Sequence, residues 1–126
     1  MIQLFLGLAG LSGAVAVAAG ALASHALATR LNPEAIAVFQ TGVRYQMYHA
    51  IALLTVALLL TTAKFRATPL VCAGAAFVAG SLLFSGSLYL ISGLGLTAVG
   101  IATPIGGVIL IGGWLCLGWA ALSYRS

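Results

Sequence analysis

Long apolar stretches, separated by short polar segments, account for almost the whole chain. The polar interruptions lie around residues 24–34, at Lys64 and Arg66, and in an uncharged glycine-rich segment from Ser92 to Gly100. A helix that crosses the hydrocarbon core of a bilayer needs about 20 apolar residues. The pattern therefore predicts an all-α membrane protein, in which residues 1–126 form one four-transmembrane-helix bundle. The predicted spans are about 2–23, 43–63, 69–91 and 104–124.

Helix-start signals place the predicted helix boundaries. Asn32 is a good N-cap, Pro33 suits the first helical position, and Glu34 complements the helix dipole. No helix breaker follows before Thr62, so the second helix would be about 45 Å long, which exceeds the hydrocarbon thickness. The excess predicts a short interfacial segment before the second span, a strong tilt, or a bend near Gly42.

The first span carries a repeat of small residues. Gly10, Ala14 and Ala18 recur every four residues and would form a stripe along one side of the helix. Small residues let two transmembrane helices approach closely. We therefore expect this stripe to contact another helix.

Composition and charge exclude several classes of protein. The chain has 126 residues, of which 63% are hydrophobic and 5% charged, whereas soluble domains carry about a quarter charged residues. The net charge of +4 comes from scattered cations near predicted helix ends, which argues against nucleic-acid binding and favours contact with membrane lipids. Lys64, Arg66 and Arg125 lie on one side of the predicted bundle, and Arg30 and Arg44 on the other. The positive-inside rule then favours cytoplasmic termini.

Counting span lengths brings most of the polar side chains to the non-cytoplasmic face. Ser81, Ser85 and Tyr89 repeat every four residues on the third helix, and Thr41, Tyr45, Tyr48 and Thr55 form a stripe on the second. Hydroxyl groups are disfavoured in lipid, so the two stripes are expected to face each other. The candidate ligand-binding residues at this face are His25, Arg44, Tyr45, Gln46, Tyr48, His49, Ser85, Tyr89 and Thr103.

Each of these residues also has a structural interpretation. Tyrosines at a membrane edge commonly form an aromatic belt, and Arg44 can extend to the headgroups. His25 fits a capping role, and His49 can be a packed residue bonded to a serine or tyrosine. Glu34 is the only acid, so no carboxylate pair is available for acid–base chemistry. The sequence predicts no catalytic residues, no metal site and no cofactor.

A resemblance to a known family rests on three segments. Residues 39–50 (FQTGVRYQMYHA), residues 83–90 (LFSGSLYL), and residues 103–107 with Gly113-Trp114 resemble the YgdD-like family of small bacterial membrane proteins, a domain of unknown function. That family is similar to eukaryotic transmembrane protein 256. Of the family's early glycine-rich segment, only Gly20 and His25 are kept here. The resemblance implies a four-helix protein of the bacterial inner membrane and supplies no activity.

Three classes of function remain open. Small-residue stripes and the lack of a catalytic set favour an accessory or scaffold protein that binds lipid or a larger membrane complex. The polar face alternatively suggests a binder or transporter of a small amphiphile or anion. A membrane enzyme is the least supported class. The partners expected are membrane lipids, with a homo-oligomer or a larger membrane complex left open.

Overall fold

The computed structural model describes residues 1–125, and these residues form four α-helices and one short 3-10 helix. The helices are α1 (Ile2–Ser24), α2 (Pro33–Leu59), α3 (Ala67–Leu94) and α4 (Ala102–Ala121), and the 3-10 helix Thr97–Ile101 precedes α4. Residues 1–125 contain no β-strand. The prediction of an all-α protein is therefore confirmed.

Three helical segments are long and apolar enough to cross a membrane, and α2 is not among them. The three are Ile2–Ser24, Ala67–Leu94 and Thr97–Ala121. The first two thirds of α2 carry Glu34, Gln40, Arg44, Gln46 and His49, which lower its hydropathy. The helix count of four is thus observed, whereas length and composition alone support three spans.

The start and course of α2 follow from its first residues. Asn32 is the N-cap, and its side-chain oxygen accepts a hydrogen bond of 2.8 Å from the backbone N–H of Ala35. Pro33 occupies the first turn and Glu34 lies beside it, so the predicted helix start is confirmed. The helix is continuous from Pro33 to Leu59.

The end of α3 lies later than its hydropathy predicts. Helix α3 continues through Ser92 to Leu94 and ends at Gly95, whose φ of 67° lies in the left-handed region that glycine adopts readily. Part of the predicted glycine-rich loop is therefore helical. The 3-10 helix then takes the chain to α4.

The four helices pack in chain order. Helix α1 packs on α2, α2 on α3, and α3 on α4, so that α2 and α3 form the centre. Most buried residues accordingly come from α2 and α3, while α1 and α4 keep wide exposed apolar faces. The apolar core lies between these central helices and includes Leu53, Val56, Leu70 and Phe77.

Glycines set the closest helix–helix approach, which is between α3 and α4. A Cβ atom built on Gly106 would lie 2.5 Å from the backbone nitrogen of Phe84 and 2.9 Å from the carbonyl oxygen of Gly80. A Cβ atom built on Gly113 would lie 2.8 Å from the ring of Phe77. Only residues without a side chain allow this backbone-to-backbone contact.

The small-residue stripe predicted to pack in α1 lies on the outside. Gly10, Ala14 and Ala18 are exposed, and a Cβ on Gly10 would meet nothing within 4 Å, so the predicted contact with another helix of the chain is wrong. The buried side of α1 instead carries Phe5, Ala9, Ala16 and Ala23. Alanine and glycine occur on every side of α1, so their four-residue spacing does not single out one face. Phe5, which packs onto Gly74 of α3, marks the buried face.

Candidate functional site

Tyr89 of α3 is positioned by two residues of α2. Its ring lies 4.8 Å from the ring of Phe39, measured between centroids, and it covers Gly42, where a Cβ would come within 2.8 Å of the tyrosine ring. The hydroxyl of Ser85 donates a 2.7 Å hydrogen bond to the carbonyl oxygen of Gly42. Gly42 therefore lets α3 approach α2 and directs the Tyr89 hydroxyl along the interface.

Gln46 joins three helices through its side-chain amide. Its Oε1 accepts a 2.6 Å hydrogen bond from the Tyr89 hydroxyl of α3, and its Nε2 donates a 3.0 Å bond to the carbonyl oxygen of Ser12 in α1. Only 9% of the Gln46 surface is exposed. Buried polar groups are stabilised when both their donor and acceptor are paired, as they are here. We call Ser12, Gln46 and Tyr89 the Gln46 cluster.

His49 lies one turn further along α2 and contacts α4. Its Nδ1 is 2.6 Å from the carbonyl oxygen of Tyr45, and its Nε2 is 3.1 Å from the indole nitrogen of Trp114. A carbonyl accepts and an indole N–H donates, so these bonds fit a neutral imidazole with its proton on Nδ1. Phe77 packs against both rings, with its ring centroid 5.6 Å from that of His49 and 5.2 Å from that of Trp114.

The remaining candidates divide between a helix–helix contact and the exposed surface. Thr103 lies 2.6 Å from Ser87, joining the start of α4 to α3. His25 is exposed at the end of α1, and Arg44 is exposed with a 3.3 Å bond to Thr41 in its own helix. Tyr45 and Tyr48 are exposed by 40% and 55%, with ring centroids 5.9 Å apart.

In the structure, Gln46 therefore contacts Tyr89, and Ser85 contacts the backbone of α2. His49 forms a separate pair with Trp114. The hydroxyls of Thr41 and Thr55, by contrast, donate hydrogen bonds to carbonyl oxygens of α2 itself. The prediction that these threonines are partners of the hydroxyl stripe on α3 is therefore wrong. The partners are instead Gly42 and Gln46.

Sequence reasoning missed Ser12 and Trp114. Ser12 contributes only a backbone carbonyl, for which no sequence signal exists. Trp114 could have been found, because it lies mid-way along α4, too deep for an interfacial belt residue.

Two grooves flank this polar centre, and His49 contributes to both. The α1–α3 groove has a volume of about 320 Å³. It is lined mainly by apolar side chains, with Gln46 and Tyr89 among the few polar ones. Its apolar lining includes Leu8, Leu11, Val15, Leu53, Phe77, Val78 and Leu82. The α2–α4 groove, of about 700 Å³, includes Tyr45, Tyr48, Phe84 and Trp114.

The arrangement satisfies its own polar groups. Within residues 1–125, every buried side-chain nitrogen or oxygen has a hydrogen-bond partner. The same residues contain no group of three His, Cys, Asp or Glu side chains that could hold a metal ion. Chemically, the site offers hydrogen bonds and apolar surface.

Comparison with known proteins places the chain in a family. Residues 19–107 match the family described as "Protein of unknown function (DUF423)". The chain belongs to this family. The resemblance carried by residues 39–50 and 83–90 is thereby confirmed. The match contains all nine candidate residues, whereas Ser12 and Trp114 lie outside it.

A curated relative agrees with this assignment. The chain is 48% identical over 54 residues to a protein of Haemophilus influenzae named "UPF0382 membrane protein". The aligned segment covers 43% of this chain and 44% of that relative, so it spans less than half of each. No solved structure matches the chain. The relative and the three apolar helices together identify this DUF423 protein as a membrane protein in contact with lipid.

Proposed function

We propose that this DUF423 protein crosses the bacterial inner membrane four times, with α2 as the fourth span. Helix α2 has 27 residues and is about 40 Å long, which suffices for a crossing. It packs between α1 and α3, and Gln46 and His49 bond to neighbouring helices, so these two polar side chains need not meet lipid. Internal pairing of this kind is how membrane helices retain polar residues.

Four antiparallel spans put both termini on one side, which the cation distribution assigns to the cytoplasm. Thr97 and Thr62 are exposed and lie at opposite ends of α3. With Cys72→Ala and Cys116→Ala as background, a cysteine at position 97 is expected to react with an impermeant thiol reagent on spheroplasts. One at position 62 is expected to react only after lysis. The reverse pattern would invert the topology, and labelling of both from outside would contradict four spans.

Within that membrane, the protein acts as a non-catalytic accessory protein that binds a lipid acyl chain in the α1–α3 groove. The groove is the observation that carries this proposal. Its lining is apolar over two turns of α1, and its rim residues Leu11 and Leu82 are exposed by 63% and 71%, so it opens on the outer surface of the helices. In a bilayer, acyl chains are the apolar molecules that reach such a surface.

The polar groups in the groove support a binding role over a catalytic one. The Gln46 amide and Tyr89 hydroxyl are already bonded to each other and to α1. These bonds hold the helices that form the groove in place. The second amide N–H of Gln46 and the remaining lone pairs of the two oxygens can still bond to a lipid glycerol or ester group. The groove therefore suits an amphiphile aligned with the helices.

Filling the groove tests this function. Gly86 lines it, and a Cβ there would meet nothing within 4 Å, so Gly86→Leu places a side chain in the groove without a backbone clash. We expect this variant to lose most of the lipid that co-purifies in mild detergent, measured by native mass spectrometry. Gly112→Leu is the matched control, because its Cβ also meets nothing. Equal lipid retention in both variants would contradict the proposal.

The α2–α4 groove favours a second candidate, a binder or transporter of a small amphiphile or anion. Tyr45, Tyr48 and Trp114 line it, and Arg44 is exposed beside Tyr45 on α2. A ligand in this groove would change Trp114 fluorescence, and Tyr48→Ala would reduce the change. Lipid loss in Gly86→Leu with no ligand response at Trp114 favours the first function.

A further inference from the structure

Three cations meet where the α2–α3 connection contacts the segment after α4. The carbonyl oxygen of Lys64 accepts a 2.8 Å hydrogen bond from the backbone N–H of Arg125. The hydroxyl oxygen of Ser123 accepts a 3.0 Å hydrogen bond from the backbone N–H of Arg66. The Lys64 ammonium lies 5.7 Å from the ring centroid of Tyr124 and 3.5 Å from its hydroxyl. These long-range bonds hold the two segments together, and hence the backbone positions of the three cationic residues.

The two segments border an open, mainly polar surface pocket of about 340 Å³. It is lined by Arg66, Trp119, Leu122, Ser123, Tyr124 and Arg125. Among residues 1–125, neither guanidinium donates a hydrogen bond to another residue. Helix α3 also begins here, with Arg66 as an N-cap that makes no side-chain capping bond. The positive end of the helix dipole therefore adds to the potential of the cations.

No acidic side chain in residues 1–125 compensates this charge. The single acid, Glu34, lies at the opposite end of α2, about 40 Å away along the helix. Cations that share one surface pocket repel each other, and a bound anion would relieve that repulsion. Guanidinium groups donate paired N–H hydrogen bonds to the oxygens of a phosphate group, so two arginines favour a phosphate as that anion.

We propose that this site, the cationic pocket lined by Arg66 and Arg125, binds the phosphate ester of an anionic glycerophospholipid headgroup. It extends the proposed lipid-binding function to a second place, distinct from the α1–α3 groove. Trp119 and Tyr124 border the pocket, and aromatic side chains of this kind lie at headgroup level in membrane proteins. The phosphate of a lipid therefore lies at the same membrane depth as the pocket, whereas a soluble phosphate would have to bind from the aqueous phase.

The test compares lipid binding by a double variant that removes both arginine charges and one that keeps them. Full-length protein in detergent is titrated with dioleoylphosphatidylglycerol and with dioleoylphosphatidylcholine, and bound lipid is counted by native mass spectrometry. Arg66→Gln/Arg125→Gln is expected to weaken phosphatidylglycerol binding about 30-fold, because each cation near an anionic headgroup contributes about a fivefold gain in affinity. Phosphatidylcholine binding should be unchanged. Arg66→Lys/Arg125→Lys is expected to retain most of the affinity.

The control is Arg30→Gln/Arg44→Gln, which removes the same charge at the opposite end of the bundle. An equal loss of phosphatidylglycerol in this control would show a net-charge effect and overturn the pocket. Displacement of phosphatidylglycerol by an equal concentration of glycerol 3-phosphate would overturn the lipid assignment in favour of a soluble anion.

Failure of the pocket and failure of the groove are distinguishable. If Gly86→Leu retains lipid while Arg66→Gln/Arg125→Gln loses its preference for phosphatidylglycerol, the pocket stands and the groove does not. If the arginine variant keeps that preference, the pocket is overturned whatever Gly86→Leu shows.

Discussion

Replacing Gly106 with alanine is expected to destabilise the protein by about 3 kcal/mol, the upper end of the range for overpacking. The added Cβ would lie 2.5 Å from the backbone nitrogen of Phe84 and 2.9 Å from the backbone carbonyl oxygen of Gly80. Because both neighbours are backbone atoms, no side-chain rotation relieves the overlap, and α3 and α4 must separate. Separation also weakens the contacts of Leu110 with Gly80 and of Thr103 with Ser87.

The free energy of unfolding can be measured by titration with sodium dodecyl sulfate in mixed micelles, followed by tryptophan fluorescence. Gly112→Ala is the matched control, since it lies on the same helix and its Cβ meets nothing within 4 Å. Its stability should be unchanged or higher, because alanine is a better helix former than glycine. Equal stability of the two variants would show that α3 and α4 adapt without loss.

The sequence predicted the start of α2 well because that boundary has a local chemical cause. Asn32 and Pro33 start α2 through a capping bond and a fixed φ, both of which depend on neighbouring residues only. Apolar length likewise marks α1, α3 and α4. The end of α3 was harder to predict, since the helix runs through Ser92 and Gly93 before Gly95 stops it.

Which face of each helix is buried could be predicted less well. In α1, small residues occur on every side, so the spacing of Gly10, Ala14 and Ala18 did not distinguish packing from exposure. In α3, the Ser85 and Tyr89 repeat did identify the face toward α2, because its hydroxyl groups differ from the apolar side chains that make up most of that helix. A periodic pattern predicts a helix face only where one side differs chemically from the others.

The polar candidates illustrate a further difficulty. Depth counting brought Arg44, Gln46 and His49 to the same level, but rotation about the α2 axis decides their partners. Gln46 and His49 turn inward to α1, α3 and α4, whereas Arg44 lies exposed. That rotation depends on packing at Gly42, where Tyr89 contacts the α2 backbone. Tertiary contact of this kind is not encoded in the spacing of α2 alone.

The hydrogen bond between Gln46 and Tyr89 is expected to stabilise the bundle measurably. Gln46→Met keeps the shape of the side chain but loses bonds to both α1 and α3, and Tyr89→Phe loses only the latter. We expect Gln46→Met to be destabilising by about 1–2 kcal/mol and Tyr89→Phe by less, because a side chain–side chain bond in a membrane protein contributes about 0.6 kcal/mol on average. The detergent titration used for Gly106 measures both.

The double variant Gln46→Met/Tyr89→Phe completes a cycle that isolates the pair. Its loss should be smaller than the sum of the two single losses by about 1 kcal/mol, since each single variant leaves its partner's polar atom unpaired in an apolar interface. Tyr48→Phe is the control, because Tyr48 is 55% exposed and its hydroxyl bonds to no residue in 1–125. Additive losses would mean that the 2.6 Å bond adds nothing to the packing of Tyr89 against Phe39 and Gly42.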